Sequence, residues 1–315
     1  MKEWDRTDLL SLQELSRAEI ELILKTAASF KEVSTRSVKK VPTLRGKTIV
    51  LSFFEPSTRT RSSFELAAKR LSADTLTMTS STSAIAKGET YKDTFKTIEA
   101  MQVDAIVIRH GSSGIAQQLA AYVAPAIINA GDGCHEHPTQ GLLDLFTIQE
   151  RKKSFDGLKV SIIGDIAHSR VARSNIWGLN KLGAAVTVCG PRPLLPRDID
   201  RMGVEVTTDL AAALKDADVV NVLRIQRERQ QAGLFPSLRE YAMLYGISRE
   251  KLEKYARPDI VVMHPGPMNP GIEITPDVAE GPFSVIFDQV TNGIAVRMAV
   301  LYLVMQANEA DVPQE

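Results

Sequence analysis

Ser57, Thr58, Arg59, Thr60 and Arg61 place three hydroxyls and two guanidinium groups in five consecutive positions, within FEPSTRTRSSFELAAKRL (53–70). Hydroxyl donors beside a planar guanidinium fork suit an anion with several acceptor oxygens, above all a phosphate. An apolar run ends at Phe54, and Phe64, Ala67, Ala68 and Leu71 then recur at i, i+3, i+4 and i+7. The hydroxyls therefore fall at the N-terminus of an incoming helix, where free N–H groups and the positive end of the dipole attract anions. A cap alone needs one hydroxyl, and this loop offers three in four positions. Residues two apart lie on different helix faces, so at most one of Arg59 and Arg61 is a direct ligand. The chain has no GxxxxGK[ST], which argues against a nucleotide held in a loop of that kind.

Five more stretches carry chemistry-bearing residues. NAGDGCHEHPTQG (129–141) holds His135, His137 and Gln140. Its Cys134, His135, Glu136 and His137 are too crowded for the separated ligand pairs of a zinc site, so no metal is expected. A loop histidine near a phosphate can polarise a carbonyl, or it can cap and pack; the segment alone leaves both roles open. RHGSSG (109–114) puts Arg109 at the end of a strand pattern, and SAIAKGET (83–90) carries Ser83 and Lys87, where a lone loop lysine is ordinarily a solvated charge. LRIQRER (223–229) places Arg224 and Gln226 just past the run ADVVNV, and GDIAHSR (164–170) places Arg170 just past LKVSII. Both halves thus aim guanidinium groups at the carboxyl ends of strands, where ligands bind in open parallel sheets.

The elements that must position these residues alternate regularly. Ser16 and Glu19 form a capping-box signature ahead of Ile20, Ile23, Leu24, Ala27 and Ala28, which predict a helix with one apolar face. KTIVLSFF (47–54), DTLTMTS (74–80), DAIVIRH (104–110) and AIINAG (126–131) are β-prone runs separated by helical patterns. The scheme repeats with LKVSIIGD (158–165), AAVTVCG (184–190), VEVTTD (204–209), ADVVNVL (217–223) and DIVVMHP (259–265). The expected class is α/β: two open parallel-sheet domains with helices on both faces, and a long apolar C-terminal helix packing back on the first. The expected boundaries are 1–137 completed by 286–307, and 138–285.

Composition narrows the function classes. Thirty-eight basic residues balance thirty-eight acidic ones, so net charge points to neither a nucleic-acid nor a membrane partner. Cys134 and Cys189 are far apart without a CxxC pairing, and both are expected to stay thiols in a reducing cytoplasm. The charged start MKEWDRTDLL does not read as a signal peptide, and the apolar run Met298 to Met305 is too short to span a bilayer. A soluble cytoplasmic protein is expected.

In order, STRTR (57–61), KGET (87–90), RH (109–110), HPTQ (137–140), RIQRER (224–229) and HPGP (264–267) resemble the motifs of the aspartate carbamoyltransferase catalytic chains, from about residue 5 to about residue 306. STRTR and HPTQ mark carbamoyltransferases broadly; the RxQxER run and HPGP favour the aspartate branch. The resemblance implies transfer of a carbamoyl group from carbamoyl phosphate to the amine of L-aspartate, in pyrimidine synthesis and without a cofactor. It implies that Ser57, Thr58, Arg59, Thr60 and Arg109 bind the phosphate, and that Thr60, Arg109 and His137 converge on the carbonyl oxygen. Gln140 and the backbone carbonyls of Pro265 and Gly266 would take the carbamoyl NH₂, with the Gly266–Pro267 bond cis. Arg170 would grip the α-carboxylate of aspartate, and Arg224 with Gln226 its side-chain carboxylate. Ser83 and Lys87 would reach in from the adjacent subunit of a homotrimer, alone or in a larger assembly with regulatory chains or dihydroorotase.

Three rivals are weaker. An ornithine-specific enzyme would want carboxylates where this chain offers Arg170, Arg224 and Arg229. A nucleotide-binding dehydrogenase would want GxGxxG where GDIAHS stands. An inactive partner subunit would not be expected to keep the candidate ligands.

Overall fold

The computed structural model describes residues 4–79, 89–226 and 237–310; Ser83, Lys87 and Arg229 lie outside the described residues. The chain divides into two compact units: residues 1–142 with 292–315, and residues 143–291.

The first unit contains α1 (Arg17–Val33), β1 (Thr48–Phe53), α2 (Thr58–Arg70), β2 (Asp74–Thr79), α3 (Tyr91–Ala100), β3 (Ala105–His110), α4 (Ile115–Ala120) and β4 (Ala126–Asp132). The capping box at Ser16 and Glu19 forms as the sequence predicts, and Ile20, Ile23, Leu24 and Ala27 are buried. Ala28, expected on the same face, is exposed; the buried stripe continues through Phe30 and Val33 and leaves Ala28 at its rim. All strand pairs are parallel, in the order β2-β1-β3-β4. Every residue of β4 is buried, as expected of a strand covered on both faces, whereas the edge strand β2 is partly exposed throughout. Val50, Ile106, Ile108 and Ile127 from the sheet pack with Phe95 and Ile98 of α3 and Ile115 and Leu119 of α4.

The helix α5 (Pro138–Lys152) carries the chain into the second unit. There follow β5 (Lys159–Ile163), α6 (Arg170–Leu182), β6 (Ala185–Cys189), β7 (Glu205–Thr207), α7 (Leu210–Leu214), β8 (Val219–Val222), α8 (Leu238–Tyr245), α9 (Arg249–Tyr255), β9 (Val261–Met263) and α10 (Pro276–Ala279). Its parallel sheet runs β7-β6-β5-β8-β9. Among the core residues are Ile163, Val220, Val222, Val262, Ile247 and Ile274. Burial pushes the Cys189 thiol, at the end of β6, up to about 12, which leaves it inert at neutral pH.

The last helix, α11 (Ile286–Ala310), returns to the first unit from Asn292 onward. By length and composition it could cross a membrane, but 72% of its most apolar window is buried, the mark of a core helix.

Candidate active site

In both sheets the strand order reverses once, and the reversal leaves a crevice at the carboxyl ends of two neighbouring strands. In the first sheet these strands are β1 and β3; in the second they are β5 and β8. The loops that leave them carry the residues singled out in the sequence. After β1 come Ser57 to Thr60, and at the end of β3 stands Arg109. After β5 comes Arg170, and after β8 come Arg224 and Gln226.

Ser57 is the N-cap of α2, with φ −160° and ψ 78°, and its side chain makes no capping bond. Ser16, Thr90, Ser169, Asp209, Ser237 and Ser248 do cap their helices with their side chains. The start of α2 is therefore arranged differently from these six, with the Ser57 hydroxyl not spent on its own backbone in that way. Thr58 and Arg59 are exposed, Arg61 is half-buried, and Thr60 is buried. Beneath them Arg297 of α11 donates to Ser63 Oγ at 2.9 Å and to the Gly293 carbonyl at 3.1 Å, with its guanidinium 5.1 Å from the centre of the Phe64 ring. This buried arginine fixes α2 from below. Its place in an apolar helical run was the only sequence signal for it.

Arg109 donates from Nη1 to the Ala130 carbonyl at 3.3 Å, and its Nε lies 3.5 Å from Glu55 Oε2. Glu55 belongs to the loop before α2, so one ion pair ties that loop to the end of β3 across the first crevice. Beside it, His110 Nδ1 accepts from the Ser112 N–H at 2.8 Å, which places the ring proton on Nε2, 2.7 Å from Tyr91 Oη. Burial holds the His110 imidazole below its ordinary pKa, against weaker upward pulls from Glu55 and Asp132.

The turn from β4 to α5 is braced by two buried carboxylates that sequence reasoning left without a role. Burial opposes the charge on Asp132, but hydrogen bonds from His135, Asn129 and the Gly114 N–H outweigh it and hold the carboxyl below its usual range. Glu136 accepts from the backbone N–H groups of Leu12 and Gln13 at 2.9 and 3.1 Å. His135 and Glu136 are thus engaged in holding the turn. His137 and Gln140 are both buried at the first turn of α5, with Gln140 N–H donating to the His137 carbonyl at 2.9 Å.

In the second unit Ser169 caps α6 by accepting from the Ala172 N–H at 3.1 Å, and Arg170 follows as the first helical residue, 2% exposed. His168 Nδ1 lies 2.8 Å from the buried Asp165 Oδ1. Arg224 and Gln226 are half-buried. Past β9, the Gly266–Pro267 bond is cis, as the resemblance implied. A buried polar chain supports this loop: Asp144 of α5 accepts from Asn175, Asn221 and Gln289, at 2.8, 3.3 and 2.7 Å, and Gln289 accepts from the His264 N–H at 3.0 Å.

A model of the carbamoyl-phosphate-binding domain of aspartate/ornithine carbamoyltransferases matches residues 7–150, and one of their aspartate/ornithine-binding domain matches residues 156–304. The chain is 59% identical over 301 residues to an aspartate carbamoyltransferase catalytic subunit of Syntrophobacter fumaroxidans, covering 96% of this chain and 98% of that one. The chain belongs to the aspartate/ornithine carbamoyltransferase family. Two solved carbamoyltransferases share its fold. The aspartate transcarbamoylase of Trypanosoma cruzi, in complex with carbamoyl aspartate and phosphate, is 30% identical with a TM-score of 0.85, covering 95% of this chain and 96% of that one. The ornithine carbamoyltransferase of Pyrococcus furiosus is 34% identical with a TM-score of 0.86, covering 97% and 99%. The carbamoyltransferase fold is thus common to both branches, and the acceptor must be argued from side chains.

Proposed function

We propose that this chain is the catalytic chain of an aspartate carbamoyltransferase, forming N-carbamoyl-L-aspartate and phosphate for pyrimidine biosynthesis. The observation that carries the reading is the side-chain content of the two crevices. In the first unit the hydroxyls and Arg59 at the start of α2 follow β1, the strand next to β3, which carries Arg109, a set suited to a phosphate; in the second Arg170 and Arg224 follow neighbouring strands, a set suited to two carboxylates. A cationic acceptor such as ornithine would meet guanidinium groups where it needs carboxylates.

In the reaction the aspartate amine attacks the carbamoyl carbon. The carbon–oxygen bond to phosphate breaks, its electron pair leaves with the phosphate, and the phosphate takes the amine proton. Negative charge grows on the carbonyl oxygen and then on the leaving group. Thr60, Arg109 and His137 stabilise the first, and Ser57, Thr58, Arg59, Thr60 and Arg109 the second. Gln140 and the carbonyls of Pro265 and Gly266 accept from the carbamoyl NH₂, while Arg170, Arg224 and Gln226 hold aspartate. The leaving group is already activated, so holding amine and carbonyl together removes much of the remaining barrier, on the order of several kcal/mol. The assembly is a homotrimer in which Ser83 and Lys87 reach the adjacent subunit's site, a reading supported by the family resemblance.

Purified protein given carbamoyl phosphate and L-aspartate is expected to release phosphate and carbamoyl aspartate in equal amounts. Formation of citrulline from L-ornithine at a higher kcat/KM would overturn the choice of acceptor. No carbamoyl aspartate, alone or with partner chains, overturns the reading itself.

A further inference from the structure

We propose that Glu273 is a positioning residue that gives the enzyme its preference for an acyl donor bearing an NH₂ group. This rests on the carbamoyl-transfer reading, in which the carbonyls of Pro265 and Gly266 accept from that NH₂. A bare loop is a poor place for such acceptors, because a backbone carbonyl aims only as well as its chain is held.

The loop 264–269 is held from inside by one carboxylate. Glu273 is fully buried, and its Oε1 lies 3.3 Å from His264 Nε2 and 2.5 Å from the Asn269 backbone N, while its Oε2 accepts from Asn269 Nδ2 at 3.2 Å. His264 relays the constraint: its Nδ1 accepts from the Gly266 N–H at 2.8 Å, which leaves its proton on Nε2, facing Glu273. Glu273 thereby reaches His264 just before the 265–266 carbonyl pair, Gly266 within it by way of His264, and the end of the loop at Asn269. Its own backbone does not drift, since the Ile247 N–H donates to the Glu273 carbonyl at 2.9 Å and the Thr275 N–H to the Ile247 carbonyl at 3.0 Å. From the other side Gln289 holds the His264 N–H and is itself held by Asp144. Buried carboxylates are costly unless their oxygens are satisfied, and here three N–H groups of one six-residue loop converge on one carboxylate.

The consequence is selectivity. A site built to accept hydrogen bonds from a substrate N–H rejects an analogue lacking it, because the acceptors are then left unpaired. Acetyl phosphate is that analogue: it has a methyl in place of the NH₂ and transfers its acyl group to the aspartate amine by the same bond changes. The readout is the ratio of kcat/KM for carbamoyl phosphate to kcat/KM for acetyl phosphate, both with L-aspartate, in the full chain. Glu273→Ala is expected to lower this ratio at least tenfold, with carbamoyl transfer falling far more than acetyl transfer. A smaller change, or an equal loss with both donors, marks a merely structural residue and overturns the assignment. Should Glu273→Ala fail to fold, Glu273→Gln decides, since it keeps one acceptor oxygen but neither the charge nor the second oxygen: a drop of threefold or more supports the assignment, and anything smaller overturns it. A wild-type chain that makes no carbamoyl aspartate overturns the proposed function instead, so the two failures are separable.

Discussion

Arg59 and Arg61 stand two positions apart at the start of α2, one exposed and the other half-buried, and both cannot face one anion. The hydroxyl and arginine cluster was legible because phosphate chemistry needs several donors within a few residues of a helix start. Arg59→Ala is expected to raise the dissociation constant of inorganic phosphate at least tenfold, and Arg61→Ala to change it less than threefold; equilibrium titration of each purified chain with phosphate reads both. The reverse order would assign the ligand to Arg61. Residues that act from behind were not legible at this scale. Arg297 meets Ser63 across 234 positions, and Asp144 meets Gln289 across 145, and neither spacing leaves a local pattern. In sequence such residues are single polar letters in apolar helices, and their meaning is supplied by distant partners.

At the scale of elements, strands and helices were largely readable. Central parallel strands buried on both faces appear as apolar runs and the edge strands β2 and β7 as mixed β-prone ones, and the nine runs became β1 to β9. The ends of strands are where folding and chemistry meet, and His110 at the end of β3 makes this measurable. Burial lowers its folded-state pKa beneath the ordinary 6.5, so between those two values the unfolded chain binds more protons than the folded one. Stability contributed by neutral His110 is therefore fully present above about pH 6.5 and is lost as pH falls below it towards and through the lower folded-state value. Thermal midpoints of the wild type are expected to fall more steeply between about pH 7.5 and pH 5.5 than those of His110→Gln, which carries no titrating ring. Parallel curves would show that His110 does not titrate in that window.

For the whole molecule, two units each with a sheet and a core follow from a βα alternation that restarts after α5. The assembly is tested by complementation. If Lys87 serves a neighbouring subunit, Arg59→Ala chains mixed with Lys87→Ala chains form hybrid trimers in which one kind of site has both residues intact. Verified hybrids are expected to regain roughly a tenth or more of wild-type activity while each parent alone stays inactive, with native mass measurement counting the chains. No recovery in verified hybrids rejects Lys87 as a residue acting across the interface.

The sequence by itself determined the class of fold, the start of α2 as a candidate anion site and the arginines at the strand ends. Those are local matters: propensity, periodicity and the donors that a short stretch can offer. Only the tertiary structure decided the strand order that makes β1 with β3, and β5 with β8, the borders of the two crevices. It alone joined Glu55 to Arg109, Arg297 to Ser63 and Glu273 to the loop around Gly266. The physical reason is burial. A polar group taken out of water must find its partner wherever the fold brings one, and that partner is set by packing in space and not by distance along the chain.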